Sequence, residues 1–313
     1  MNKIKVIFCG TPNIAANILL SLLEMKNVSI ELVISQPDKI VGRKKQLTQT
    51  PVKKVALENN LKIEQPLKIA EIYEIIQKSN PDFIVTCAYG QFIPSKILQI
   101  PKIDAINIHG SLLPKYRGGA PIQYAIKNGD KKTGISIMKM VKEMDAGDYY
   151  VQEEIDIDVN DDAGSLFEKM TLLGQKMIKK YLLQIYNNQL QLIKQNPKKV
   201  TYCKNISSEE ERIIWNNKGE VIRNHIRSLS PLPIAHTFIN NERYKIKSIE
   251  LTNVKSKYKE GSVVRIKNEG IQVATADVDI IITNIQRPGK KMINASLYKQ
   301  NNLNDIKVGD FFE

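Results

Sequence analysis

No stretch of apolar residues approaches the roughly 20 that a membrane helix requires. The N-terminus, Met1-Asn2-Lys3-Ile4, runs straight into a strand-like segment without the apolar core of a signal peptide. A cytosolic location is therefore expected. Cysteine is scarce, and the three present, Cys9, Cys87 and Cys203, are too scattered for a disulfide framework or a zinc motif. They read as buried or free thiols, and no metal is expected. Acidic residues are in deficit: 33 against 46 Lys and Arg, a formal charge of +13, enough to steer polyanions to the surface. The same excess also serves solubility, so its distribution decides. Residues 39 to 54 carry Lys39, Arg43, Lys44, Lys45, Lys53 and Lys54 with no acid, and residues 194 to 204 carry Lys194, Lys198, Lys199 and Lys204, also with none. Clustering of that kind favours a nucleic-acid face.

Glycine is missing where two familiar nucleotide sites need it. The first strand ends in a turn holding only Gly10, whereas a dinucleotide fold needs three glycines there for the tight turn, the pyrophosphate and helix packing. No Gly-rich loop ends in Gly-Lys-Ser or Gly-Lys-Thr either. An NAD-dependent oxidoreductase and nucleoside triphosphate chemistry are both disfavoured.

What is present is ordinary globular composition, 42% apolar and 25% charged over 313 residues, a length that suits two domains. Lys3 to Gly10 reads as a strand, followed by helical spacing at Ile14, Ile18, Leu19, Leu22 and Leu23. Further strands are expected at Ile30 to Ser35, Asp82 to Ala88 and Ala105 to Ile108, alternating with helices near Val52 to Asn59 and Ile69 to Lys78. Such alternation implies an α/β fold with a doubly wound, mainly parallel sheet, whose ligands lie beyond the carboxyl ends of the strands. A long amphipathic helix from Ser165 to about Asn188 closes this domain, 1–188. Residues 189–206, polar, basic and broken by Pro197, read as a linker. Beyond it Ser208 and Glu211 offer a capping box, and from Ile234 short β-prone stretches predict a small C-terminal β-barrel across 207–313. There is no internal repeat.

The densest segment is Asn107 to Gln123, NIHGSLLPKYRGGAPIQ. Asn107 and His109 point to one face of a strand by period two and then meet a loop. In a sheet of this class a substrate lies there, and Asn with His can donate to an oxygen that becomes negative in acyl transfer. A histidine satisfied by loop carbonyls is the plain alternative. A partner carboxylate is offered by Asp145 in Met144 to Asp148, MDAGD, although a turn aspartate would look the same. The other two histidines, His225 and His236, read as structural.

These segments together resemble the methionyl-tRNA formyltransferase family nearly end to end. CGTP at 9–12, SQPDKIVGRKK at 35–45, CAYGQFIP at 87–94, INIHGSLLPKYRGGAPIQ at 106–123 and MDAGD at 144–148 fall in the family's order and spacing, and SPLPIAH at 230–236 and IQRPGKK at 285–291 resemble its C-terminal domain. The resemblance implies a formyltransferase-like Rossmann variant followed by an OB-like tRNA-binding barrel. It makes Asn107, His109 and Asp145 the catalytic trio and 10-formyltetrahydrofolate the cosubstrate, with no metal. Folate contacts are expected at Ser111, Leu112, Leu113 and Pro114 and in the adjacent turn Ala88, Tyr89, Gly90 and Gln91. The methionyl initiator tRNA is expected to meet Arg43, Lys44 and Lys45, where a guanidinium can grip phosphate bidentately. A monomer is expected. Two departures stand out: Gln46 in the basic loop, and Asp277-Val278-Asp279 in a C-terminal turn that the family builds with more glycine. Rival readings are a formyltransferase for a small amine or sugar, distinguished by the C-terminal half, and a non-catalytic RNA-binding protein, which would not need the trio.

Overall fold

The computed structural model describes residues 3–42 and 46–313. Two compact units emerge. The first comprises Met1–Pro121, Lys132–Asp156 and Phe167–Cys203, and the second comprises Ile122–Lys131, Ile157–Leu166 and Lys204–Glu313. In chain order the elements up to Cys203 are β1 (Ile4–Gly10), α1 (Asn13–Leu23), β2 (Val28–Ile34), β3 (Lys39–Val41), β4 (Gln46–Thr48), α2 (Pro51–Glu58), β5 (Ile63–Glu64), α3 (Tyr73–Lys78), β6 (Phe83–Cys87), α4 (Ser95–Leu98), β7 (Asp104–His109), β8 (Arg117–Gly118), α5 (Pro121–Lys127), β9 (Lys132–Lys139), β10 (Tyr149–Asp156), α6 (Ala163–Tyr186) and β11 (Tyr202–Cys203).

The seven-stranded sheet of the first unit has the order β10-β9-β7-β6-β1-β2-β5. Five strands run parallel, while β9 pairs antiparallel with β7, and β10 antiparallel with β9. The alternation of strand and helix foretold the parallel part. The antiparallel ribbon at the β10 edge had no counterpart in the sequence reading. Period two sorts the faces: Ile7 and Cys9, Leu32 and Ile34, Ile84 and Ala105 pack with Ile69, Ile76 and Ile97 on one side. On the other, Gly174 of α6 lies so close to Ile18, Ile108 and Ile135 that a Cβ there would stand 2.9 Å from Ile18 Cδ1. Helices therefore cover both faces. Each fully buried Ile contributes on the order of 2–3 kcal/mol.

α2 starts cleanly because Thr50 accepts from the Lys53 amide and Pro51 occupies the first helical position. The Thr50 hydroxyl also meets Ser35 at 2.7 Å, so the chain leaves β2 and enters α2 at one point, and between them β3 pairs antiparallel with β4. Asp38 ties down its base by accepting from Lys53 Nζ (2.6 Å) and Gln65 Nε2 (2.8 Å), which hold its carboxyl below the usual range. Lys53 is thereby spent inside the unit and leaves the basic face expected for residues 39 to 54.

The segment expected as a linker, 189–206, is laid into the first unit as far as Cys203. β11 pairs parallel with β8, and Arg117 N donates to Thr201 O and Gly119 N to Cys203 O. The pairing runs through the main chain, which is why polar, basic side chains did not betray it.

In the second unit follow α7 (Gly219–Ser228), β12 (Ala235–Ile239), β13 (Glu242–Lys255), β14 (Val263–Lys267), β15 (Gly270–Val273), β16 (Val278–Gln286), β17 (Met292–Asn294) and α8 (Leu297–Gln300). The antiparallel sheet has the order β12-β13-β16-β15-β14, with β17 also on β16. The chain end bridges its two edge strands. Gly309 N donates to Val263 O and Phe312 N to Gly261 O on one side, and Glu313 N to Phe238 O on the other. Phe312 stacks on Trp215 at 5.3 Å inside the core. Ser208 and Glu211 cap no helix. A reciprocal pair forms one residue earlier, Ser207 with Glu210, on a turn. The acids of the glycine-poor turn face inward: Asp277 accepts from Gly219 N at the start of α7, and Asp279 accepts from Ser256 and Gln272. β13 and β14 do not pair, so Arg243, Lys245 and Lys247 are not extended by Arg265 and Lys267 into one stripe as an adjacent pair would make them.

Candidate active site

Strand order reverses between β1, which leads to β2, and β6, which lies on its other side. Ligands favour the crevice beyond the carboxyl ends at such a point. Thr11 Oγ1 donates to Tyr89 O (2.9 Å) across it.

Beside that crevice β7 delivers Asn107 and His109 to one face. The loop after β9 folds back over the same face, with Met140 N donating to Ala105 O, and carries Asp145 to them. Asn107 Nδ2 donates to Asp145 Oδ1 at 3.3 Å, and His109 Nδ1 faces Asp145 Oδ2 at 3.6 Å. Gly118 N donates to the same Oδ2 at 2.9 Å. The Asn107 amide is oriented by Thr86, whose hydroxyl donates to its Oδ1 at 2.8 Å. His109 is almost wholly buried, and its Nε2 donates to Tyr116 O at 2.9 Å. Both sequence readings of this histidine are thus visible at once: a loop carbonyl holds one nitrogen, a carboxylate faces the other.

The backbone around the trio is unusual. Ala88 (φ 45°), Tyr116 (φ 57°) and Asp145 (φ 51°) are non-glycine residues in the left-handed region, and such strain persists only where neighbours over-determine it. At Gly118 (φ 123°) an added Cβ would stand 2.0 Å from Cys203 O, so only glycine lets β11 approach.

The expected folate segments lie at this end of the sheet. Leu113 N donates to Ser136 Oγ, and Gln152 Nε2 to Leu113 O, pinning the loop Ser111-Leu112-Leu113-Pro114 against β9 and β10. Ser111 is fully buried, its hydroxyl donating to Lys115 O. In the other loop Ala88 and Gly90 are exposed, while Tyr89 turns its ring into the core beside Ile7 and Cys9, where burial pushes its phenol well up. Its carbonyl, not its ring, faces the crevice. Gln91 is occupied in holding the 66–69 segment, accepting from Ile69 N and donating to Pro66 O. Arg43, Lys44 and Lys45 lie outside the described residues. Their flanking strands place Ile40 opposite Leu47, both exposed.

His225 and His236 belong to the second unit, and burial, with nearby cations, brings both down to about 4, so each is neutral at physiological pH. Burial pushes all three thiols up, Cys87 to about 12, which leaves no thiolate nucleophile. Sequence reasoning missed Thr86, Arg117, Gly118 and Gln195. Arg117 and Gly118 stand in the 107–123 segment but were given no role there, Thr86 and Gln195 lie outside every quoted motif, and each acts through hydrogen bonds to a distant segment. Among the described residues no helix is long and apolar enough to cross a membrane.

The formyl transferase family model matches residues 2–182, and the model of the formyl transferase C-terminal domain matches residues 205–302. A methionyl-tRNA formyltransferase of Mesoplasma florum is 65% identical over 100% of both chains, and one of Bacillus cereus is 42% identical over 98% of this chain and 99% of its own. Among solved structures, the sugar 3N-formyl transferase WlaRD, crystallised with dTDP and 5-N-formyl-THF, superposes with a TM-score of 0.66 at 25% identity, covering 93% of this chain and 100% of that one. HypX from Aquifex aeolicus, at 15% identity and TM-score 0.65, shares the fold. A sugar enzyme thus spans the C-terminal half as well, so the mere presence of that half does not separate the rivals. The sequence does: with two matched domain models and full-length identity at 65%, the chain belongs to the formyl transferase family, in its methionyl-tRNA formyltransferase branch.

Proposed function

We propose that this chain moves the formyl group of 10-formyltetrahydrofolate onto the α-amine of methionyl initiator tRNA, with Asn107, His109 and Asp145 carrying the chemistry. The observation behind these roles is the convergence of a carboxylate, an imidazole and an amide on one face at the carboxyl end of β7. The uncharged amine attacks the formyl carbon, the bond from that carbon to the folate nitrogen breaks, and the proton that the amine gives up passes to that nitrogen, which leaves as tetrahydrofolate. Asn107 has a second Nδ2 hydrogen, not used by any described residue, for the oxygen that becomes negative. His109 and Asp145 act as a coupled pair for the proton: protonation at Nδ1 makes an imidazolium 3.6 Å from the carboxylate. Nε2 donates to the Tyr116 carbonyl, so donation to substrate from that nitrogen requires exchange of that partner.

The folate fits the two loops through backbone groups of Ala88 and Gly90 and the half-buried Leu112 and Pro114. Arg43, Lys44 and Lys45, which follow β3 and precede β4 in the sequence, reach the acceptor end of the tRNA. Lys194, Lys198, Lys199 and Lys204, all exposed, face its backbone. Residues 1–188, together with 189–203 of the first unit, serve catalysis, and 207–313 serve tRNA binding. With charged tRNA as substrate the enzyme acts in the cytosol, as a monomer.

One assay tests this. Formyl transfer from 10-formyltetrahydrofolate to charged initiator tRNA is measured for the full chain and for Arg43→Ala, together with folate binding. Arg43→Ala lowers transfer by about tenfold and flattens the salt dependence of tRNA binding by about one phosphate, with folate affinity unchanged. Absence of transfer by the parent chain would overturn the reading.

A further inference from the structure

We infer that Gln195 is a positioning residue for Asp145, acting from a segment that composition alone marks as a linker. This rests on the role given to Asp145 above. From residue 191 to residue 199 every side chain is exposed except that of Gln195, which turns inward. Its Nε2 donates to Asp145 O (2.8 Å) and to Gly147 O (2.6 Å), while its Oε1 accepts from Arg117 Nε (3.0 Å) and Nη2 (2.8 Å). The orientation of this amide is forced, because a guanidinium only donates and a carbonyl only accepts. All four hydrogen-bonding positions are therefore filled, and one side chain joins the loop after β7 to the loop before β10.

Asp145 needs such a hold. Its φ of 51° is unfavourable for a residue with a Cβ, and its carboxylate must reach Asn107, His109 and Gly118 together. Gly118 donates to Asp145 from the residue next to Arg117, so the amide fixes donor and acceptor on both sides of that contact. Gly147 leaves no slack, since a Cβ there would stand 2.0 Å from Lys139 O. Without the amide, two buried-facing carbonyls and a guanidinium lose their partners, and the carboxylate shifts. A displacement on the order of 1 Å costs up to about 100-fold in rate while leaving substrate binding intact.

Gln195→Met keeps the volume and removes the polar atoms, Gln195→Ala removes both, and each is also made in an Asp145→Ala background. Circular dichroism and folate-analogue binding report the fold. The expected result is a kcat lowered about 10- to 100-fold in Gln195→Met, with KM for both substrates within about twofold, and no further loss when Asp145 is already Ala. Gln195→Glu fails likewise, since a carboxylate still accepts from Arg117 but repels the two carbonyls. Wild-type kcat in Gln195→Met, the same fold-loss in both backgrounds, or unfolding of both Met and Ala variants would overturn the inference. An inactive parent chain would instead overturn the proposed function.

Discussion

In the first unit, segments far apart in the chain bring buried polar groups to one point, where Thr86, Asn107, His109, Gly118, Asp145 and Gln195 each satisfy another. The second unit also buries polar groups over long separations, but Asp277, Asp279 and Gln272 fix a helix start and a turn in pairs and do not meet at one point. Its cations behave alike: Arg243 is held by Glu211, and Lys245 donates to Pro233 O. The difference is one of concentration. Loss of a single group should be severe where six depend on each other and mild where charge is spread over many phosphate contacts.

The largest effect falls on the trio. His109→Ala and Asp145→Ala each lower kcat by at least about 100-fold, the scale for removing an acid-base or oxyanion group, with circular dichroism unchanged. Full activity in either variant would remove that residue from the mechanism and leave the first unit no more concentrated than the second. Next comes Gly118→Ala, which forces a Cβ against Cys203 O at a φ of 123°. β8 and β11 must move apart, and the Gly118 donor to Asp145 shifts with β8. Stability falls by about 3 kcal/mol and kcat by at least tenfold. A variant with parent stability would mean that β8 and β11 part without cost.

How much of this was legible in the sequence follows the same division. β1, β6 and β7 announced themselves as continuous apolar runs, and period two placed Asn107 and His109 on one face without any structure. The strands from β12 to β16 were legible by alternation and turn residues. Contacts that act over long separations carried no such signal. α7 went unseen because Lys218 supplies no side-chain cap, and its first turn is satisfied by Asp277, 58 residues later. Gln195 went unseen because one inward amide in a run of exposed polar residues has no periodicity. The 145 loop reads as a turn by composition, and only β9 folding back shows why a turn aspartate meets a histidine.

A third, smaller effect separates framework from site within the first unit. Burial alone would raise the Glu153 carboxyl, but hydrogen bonds from Tyr181 (2.7 Å), Lys176 (3.0 Å) and Lys180 (3.2 Å) outweigh it and bring it down to about 2. A depressed carboxylate stabilises the fold above its unfolded value and ceases to as pH falls through the folded one. The contribution is therefore present at neutral pH and lost between roughly pH 4.3 and pH 2. Because both lysines are half or more exposed, it amounts to about 1 kcal/mol. Glu153→Gln should lose that much at pH 7, match the parent near pH 2 in denaturant titrations, and keep its kcat. A difference that persists at pH 2 would assign the effect to packing.

The smallest effect tests whether strain means the same thing in both units. Setting asparagines aside, the non-glycine residues described at positive φ are Ala88, Tyr116 and Asp145 around the trio, and Ile234 in the second unit. Asparagine tolerates this region, whereas a β-branched residue does so least, and Ile234 sits at φ 74°. Strain at a site is held because chemistry needs the geometry, whereas at Ile234 the backbone amide donates to Leu229 O and no group of the trio is near in the chain. Ile234→Gly keeps that bond and relieves roughly 1–2 kcal/mol of backbone strain, against roughly 0.5–1 kcal/mol of added unfolded-chain entropy. The melting temperature should rise by about 1–3 °C with kcat unchanged. Were it to fall, the half-buried Ile234 side chain would have to contribute more than the strain it imposes, and the second unit would share the over-determined character that separates the first from it.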